Sequence, residues 1–361
     1  MELNLKRKED CKFDLVSLGE VMLRFEPGDM RIKNTRSFRV WEGGGEYNVA
    51  RALRKVFLQR TAIVTALADN EVGKLIEDLM LQGGVDTSFV KWYPYDDLGK
   101  NVRNGFNFTE RGFGLRGALS VYDRAGTAPT KLKKGDIDWE YLFGELGVRW
   151  FHTGGIFAAL SENSAELLLD GVKTAKKYGT VVSYDLNYRN ALWKDIGGKE
   201  RARLVNREIA KYIDVMIGNE QDFSDCLGYD NTSHGENGHE SYYDMMQKAA
   251  ADYPNFKAAA ATLHKVKSAT VNDWSAVCYA DGKMYDGLSF KDLEIYDCIG
   301  GGDAFAAGFI YSLLNGGDPQ KAVNCGVAHG ALKMTSPGDS SMTSLAEVEG
   351  LMSGSGAKIK R

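Results

Sequence analysis

Apolar positions along this chain change their period in a regular way. Short unbroken apolar runs, FDLVSLG (13–19) and TAIVTALA (61–68), read as buried strands. The second run leads into DNEVGKLIEDLMLQGG, where Val72, Leu75, Ile76 and Leu79 recur at helical spacing. LGVRWFHTGG (146–155) precedes SENSAELLLDGVKTAKKYG, a capped helix that ends in glycine. TVVSYDLNYR (180–189), IDVMIGN (213–219) and KAAAATL (257–263) are further strands, each followed by polar residues. Strand and helix in alternation predict an α/β fold, a mostly parallel sheet covered by helices on both faces. Ligands of such sheets sit beyond the carboxyl ends of the strands, so the polar residues just after each strand are where chemistry is expected.

Two stretches break this rhythm. Residues 20–42 and 95–125 are rich in charge, aromatics and glycine and predict a small β-rich lid beside the main sheet. YDNTSHGENGHESYY (229–243) reads as a polar insertion forming a surface loop, and the tail over 350–361, with SGSGAKIKR, as flexible. No internal repeat is present, and a single domain over 1–361 is expected.

Composition narrows the function classes. The 361 residues are 43% hydrophobic and 26% charged, with 49 acidic against 45 basic residues and a net charge of −4. That balance is ordinary for a globular protein and argues against bulk nucleic-acid binding; KLKK (131–134) reads as a solvated turn. Five scattered cysteines (Cys11, Cys226, Cys278, Cys298, Cys325), without a CxxC pair, argue against a zinc site or a disulfide framework. The N-terminus has no apolar signal core, and no stretch approaches about 18 apolar residues. The expectation is a soluble cytoplasmic protein with no membrane partner.

The densest chemistry is in DCIGGGDAFAAGFIYSLL (297–314). Phe305, Phe309, Ile310, Leu313 and Leu314 share a helical face. Gly300, Gly301 and Gly302 allow a tight turn whose N–H groups, at the positive end of the helix, form an anion site. Asp303, held ionised at that end, can accept a proton from a hydroxyl. A base beside an anion cradle suits phosphoryl transfer to an alcohol; the plainer alternative is an N-capping aspartate after a flexible loop. There is no Walker A motif. GFGLRG (112–117) has neither a strand before it nor a helix after it, and reads as a turn in the lid. WEGGGEYNVARALRKVF (41–57) is a second glycine turn opening a buried helix, with Glu46 and Asn48 in its first turn.

Together GGGEYNVARAL and DCIGGGDAFAAGF resemble the two signatures of ribokinase-like (PfkB) sugar kinases, over about 12–350. The resemblance implies a three-layer α/β/α sandwich with a lid, with ATP and Mg²⁺ as cofactors. It also implies Asp303 as catalytic base, with the amides of Gly300, Gly301 and Gly302 as anion hole. Within that family SVYDRAGTA (120–128), DLNYRNALW (185–193) and KMTSPGD (333–339) are most similar to 2-keto-3-deoxygluconate kinases. A sugar-acid substrate needs cations for its carboxylate, a role for Arg189 and Arg124, with Tyr122 beside Arg124. By resemblance Gly44, Gly45 and Asn48 hold the sugar hydroxyls. On the nucleotide side the resemblance offers Asn219, with Asp222 or Glu220 organising magnesium-bound water. TLHKVKSATVNDW (262–274) stands for a phosphate-and-ribose loop, offering Thr262 and Lys265, and Asn324 lines the adenine pocket. The histidines carry no expected chemistry. Two other readings stay open: a kinase of a neutral sugar such as fructose or ribose, and a catalytically idle sugar- or nucleotide-binding protein. The lid strands expose edges through which a homo-oligomer could form.

Overall fold

The computed structural model describes residues 1–229 and 238–355. The first strands are β1 (Phe13–Leu18), β2 (Met22–Glu26), β3 (Arg39–Gly43), β4 (Thr61–Asp69) and β5 (Asp86–Pro94). They are followed by β6 (Gly105–Glu110), β7 (Leu119–Asp123), β8 (Val148–Gly154), β9 (Val181–Asp185) and β10 (Val215–Gly218). The last are β11 (Ala258–Ser268), β12 (Val271–Ala280), β13 (Lys283–Asp286) and β14 (Phe290–Glu294). Ten of them form one sheet in the order β13-β12-β11-β10-β9-β8-β1-β4-β5, with β14 also paired to β12. From β5 to β11 every neighbour pair is parallel, and the antiparallel strands β12 to β14 close one side.

Eight helices of eight residues or more accompany the strands among the described residues. They are α1 (Gly45–Lys55), α2 (Glu71–Gln82), α3 (Glu162–Lys177), α4 (Gly198–Ala210), α5 (Gly238–Asp252), α6 (Gly301–Leu314), α7 (Pro319–Lys333) and α8 (Leu345–Met352). Because side chains alternate along a strand, each buried strand feeds two cores. In β4, Val64 and Ala66 pack with Leu167, Leu168 and Val172 of α3 and Met246 of α5. Ile63 and Leu67 pack with Leu53 of α1, Phe309 of α6 and Val327 of α7 on the other face. The result is the three-layer sandwich that the alternation predicts.

A separate four-stranded sheet, in the order β3-β2-β6-β7, draws on the two stretches that broke the helical rhythm. GFGLRG lies in its β6–β7 connection as a tight turn, with Phe113 and Arg116 exchanging both backbone hydrogen bonds.

Three expectations need correction. TVVSYDLNYR leaves the sheet at Asp185, and Asn187 takes a left-handed φ of 32°. TLHKVKSATVNDW is no loop: it is the antiparallel hairpin of β11 and β12, with Lys265 opposite Asp273. The insertion over 229–243 is a loop only in part, because α5 begins at Gly238. Residues 230–237 of that insertion and 356–361 of the tail lie outside the described residues, and 350–352 of the tail close α8.

Candidate active site

β1 starts the chain in the middle of the sheet; β4 and β5 then build to one side and β8 to β11 to the other. This reversal at the β1–β8 pair leaves a crevice where the following loops part, the place where open α/β sheets bind ligands. The loops after β1, β8, β9 and β10 meet there, with α1 and α6 pointing their N-termini inward. They enclose a cavity of about 320 Å³. β7 and β2 of the small sheet close one wall with Tyr122 and Met22.

The glycine turn before α6 is shaped by close approach. Gly300 caps α6 at φ 80°, and a Cβ there would lie 2.0 Å from the carbonyl oxygen of Asp339. Only glycine meets both demands. Gly300 and Gly302 line the cavity, and a Cβ on Gly302 would meet open space. Gly301 does not line it: a Cβ there would meet Met334 at 3.1 Å, and its N–H reaches the Cys298 carbonyl at 3.4 Å. The expected cradle of three glycines is thus a cradle of two, because the helix has already begun to turn.

Asp303 stands in the cavity wall, and its Oδ2 accepts from Asn48 Nδ2 at 2.8 Å. Burial raises its pKa to about 6, against the pull of Asn48 and Arg189. The helix end therefore does not keep it in the ordinary carboxylate range, as the sequence suggested, although it is mostly ionised at neutral pH. The oxygen of the same Asn48 amide, Oδ1, is buried without a protein partner.

On the acceptor side Gly44 and Gly45 line the cavity; a Cβ on Gly44 would strike the Glu20 carbonyl at 2.0 Å. Tyr122 lies in β7, with Arg124 just past the strand end and its guanidinium 5.7 Å from the Tyr122 ring. Arg124 is already paired with buried Glu20, whose other oxygen accepts from Thr127 Oγ1 at 2.6 Å. Arg189 is exposed at the rim and donates only to the neighbouring Tyr188 carbonyl. Both arginines line the same cavity, but among the described residues only Arg124 is held in a salt bridge.

The nucleotide-side expectations divide. Asn219, Asp222 and Thr262 line the cavity. Asn219 and Asp222 form a reciprocal capping box, and Asp222 Oδ1 also accepts from the Tyr188 amide at 2.9 Å. Both oxygens of Asp222 are engaged with backbone, so its evident work is to join the 185–189 turn to the 219–222 turn. Lys265 is exposed and outside the cavity, because strand alternation turns Thr262 and His264 inward and Lys265 away. Asn324 is outside as well: its Oδ1 accepts from the Leu288 amide at 3.1 Å. No group of three or more metal-ligating side chains occurs among the described residues.

Sequence reading missed Glu20, Asn107, Asp185, Asn187 and Asp339, and gave Glu46 no role, yet all six line the cavity. Burial pushes the Glu46 carboxyl up to about 8 and Asp185 well above its ordinary range. The signal for Asp185 and Asn187 was available, since DLN directly follows a strand. His152 and His329 are fully buried, with Nδ1 of each at a polar partner, Ser183 and the Ala304 carbonyl. Both are packing residues, as expected.

A parallel-sheet crevice, a glycine turn on a helix N-terminus and a buried carboxylate beside a polar pocket form an arrangement suited to phosphoryl transfer to small alcohols. The family comparison agrees. The model of the pfkB family of carbohydrate kinases matches residues 12–345, and the chain belongs to that family. A crystal structure of the 2-dehydro-3-deoxygluconokinase of Thermotoga maritima matches with TM-score 0.86 and 36% identity, over 94% of this chain and 99% of that one. The 2-dehydro-3-deoxygalactonokinase of Haloferax volcanii is 28% identical over 96% of this chain and 99% of its own length. The 5-dehydro-2-deoxygluconokinase of Clostridium perfringens is also 28% identical, over 91% of this chain and 89% of its own. The chain is an ATP-dependent sugar kinase by family.

Proposed function

We propose that the protein phosphorylates a keto sugar acid, 2-keto-3-deoxygluconate giving its 6-phosphate. The observation that carries the acceptor assignment is Asn48. Its amide donates to Asp303 while its buried Oδ1 has no partner, so a sugar O–H entering there is received beside the base. Asp303 takes the hydroxyl proton as the oxygen attacks the γ-phosphorus. The bond from that phosphorus to the bridging oxygen breaks, and ADP leaves. The Gly300 and Gly302 backbone and the α6 dipole offset the charge that builds on the transferred group. Mg²⁺, when bound, neutralises phosphate charge and orients the transfer. Asn219, Asp222 and Thr262 border its approach.

Two observations support an acid over a neutral sugar. Arg189 is a cation at the rim held in no salt bridge among the described residues, and Tyr122 and Arg124 stand across the same cavity. The names of the relatives also agree, each naming a dehydro-deoxy derivative of gluconate or galactonate. The small sheet acts as a lid that excludes water, a competing acceptor. Its outer face carries Phe38, Val40, Leu119 and Val121, all exposed, which supports a homo-oligomer through the lid. The whole chain works as one kinase domain. Its five cysteines are all free, which supports a cytoplasmic location.

The test is ADP release with Mg-ATP and 2-keto-3-deoxygluconate, 2-keto-3-deoxygalactonate, fructose, ribose or no sugar. Turnover confined to the acids is expected, and Arg189→Ala should lower kcat/KM for the acids by on the order of 10- to 100-fold. Equal turnover with fructose or ribose would remove the sugar-acid assignment and leave the kinase.

A further inference from the structure

Beneath the Gly300 turn lies a buried charge cluster that the transfer chemistry does not use. Arg24 sits in the middle of β2, in the small sheet, with no exposed surface. Its Nη1 donates to Asp339 Oδ1 at 2.5 Å and its Nη2 to Asp297 Oδ2 at 2.7 Å. Asp297 Oδ1 accepts from the Ile299 amide at 3.1 Å, and its carbonyl accepts from buried Lys333 Nζ at 3.3 Å. The Asp339 carbonyl is the atom that Gly300 approaches too closely for any side chain. One guanidinium therefore fixes the residue that opens the 297–303 turn and the loop on which that turn rests.

Stability alone is a poor reason for this arrangement. The desolvation of a buried ion cluster offsets most of its Coulombic gain, and packed apolar residues of similar volume serve as well or better. Geometry is what the forked guanidinium supplies, since its donors match two carboxylates in a fixed plane. The partners lie 315 and 273 residues away in sequence, outside the small sheet to which β2 belongs.

We propose that Arg24 is a positioning residue for phosphoryl transfer, tying the seating of the small sheet to the shape of the phosphate-facing turn at 299–303. When the sheet is seated, the turn is held in its receiving form; when it is displaced, the turn loses its support. This rests on the reading of Gly300, Gly302 and Asp303 as the transfer site.

Arg24→Met alone would leave two buried carboxylates facing each other and endanger folding. The informative variant is Arg24→Met/Asp297→Asn, which removes one charge of each sign and leaves Asp339 and Lys333 in place. Its thermal midpoint, its steady-state kinetics and its ratio of ADP to sugar phosphate are compared with those of wild type. The expected result is a folded protein whose kcat falls on the order of 100-fold. KM for ATP and sugar should stay within about threefold, and ADP should form in excess of sugar phosphate as water gains access. Unchanged kcat and unchanged coupling in the folded double variant would overturn the proposal.

A readout independent of turnover separates this from failure of the kinase reading. If wild type transfers phosphate to no sugar, that reading fails. Hydrogen exchange of the 298–303 amides with Mg-ATP bound then decides the present one. Faster exchange in the double variant supports positioning by Arg24, and equal exchange refutes it.

Discussion

The two glycine-acid junctions of this chain are nearly the same in composition and different in use. Gly43-Gly44-Gly45-Glu46 opens α1, and Gly300-Gly301-Gly302-Asp303 opens α6. At the first, the helix starts one residue before the acid, and Glu46 turns into a slot so tight that a Cβ on Gly19 would lie 2.4 Å from its Oε2. At the second, the helix starts two residues before the acid. Asp303 then faces the cavity with Asn48 at its side. Burial raises both carboxyls, Glu46 to about 8 and Asp303 to about 6. At neutral pH Glu46 keeps its proton and Asp303 is mostly ionised. A glycine triplet followed by a carboxylate therefore does not by itself identify a catalytic group. Position in the first helical turn and depth of burial assign the role.

The largest test of this contrast is Asp303→Asn, which should fold, bind sugar and lose on the order of 10²- to 10⁴-fold in kcat. A turnover near that of wild type would end its role as the base. Next comes a pair of alanine substitutions read by thermal melting. Gly300→Ala places a side chain at φ 80° and 2.0 Å from a carbonyl oxygen, and should destabilise by more than about 1 kcal/mol. Gly45→Ala meets nothing closer than Asp303 Oδ1 at 3.4 Å, so it should melt like wild type and act only on sugar binding.

The pH profile follows from the same two groups. As pH falls through about 6, Asp303 gains a proton, and kcat/KM should drop about tenfold per unit below that point. Above about 8, Glu46 ionises and adds a negative charge to a cavity that receives an anionic sugar, which gives an alkaline limb. The smallest effect is expected for Glu46→Gln, which mimics the protonated carboxyl: less than about a threefold change at pH 7, with the alkaline limb moved upward. Stability should respond as well. Between its ordinary 4.5 and about 8 the folded protein holds a proton on Glu46 that the unfolded chain has released, so Glu46 lowers stability as pH rises through that window. A melting series at pH 5 and pH 8 should show Glu46→Gln gaining more at pH 8.

The parallel strands and their helices were legible because unbroken apolar runs and 3.6-residue periodicity survive in any context. Both glycine junctions were legible for the same local reason. The hairpin of β11 and β12 was not, because HKVKS is mostly polar and exposed: its strand character comes from pairing with VNDW, which sequence periodicity does not report. Asn324 and Lys265 fall outside the cavity for a related reason. Whether a side chain on a known element faces the cavity or a neighbouring backbone depends on register, and register is set by partners far away. The cluster of Glu20, Glu46 and Asp185 was invisible as a site because each carboxylate, read alone, looks like ordinary surface charge. Its meaning comes from burial in a shared space.

The hydrogen bond from Asn48 to Asp303 joins residues 255 positions apart. A ribosome making this chain therefore releases α1 long before α6 exists. Until α6 has left the exit tunnel, a nascent copy holds Asn48 without its carboxylate partner and the cavity without one of its walls. The last-built helices are the ones that complete it. With so much of the site closing over long sequence separation, folding should be slow compared with that of a helical bundle of the same size.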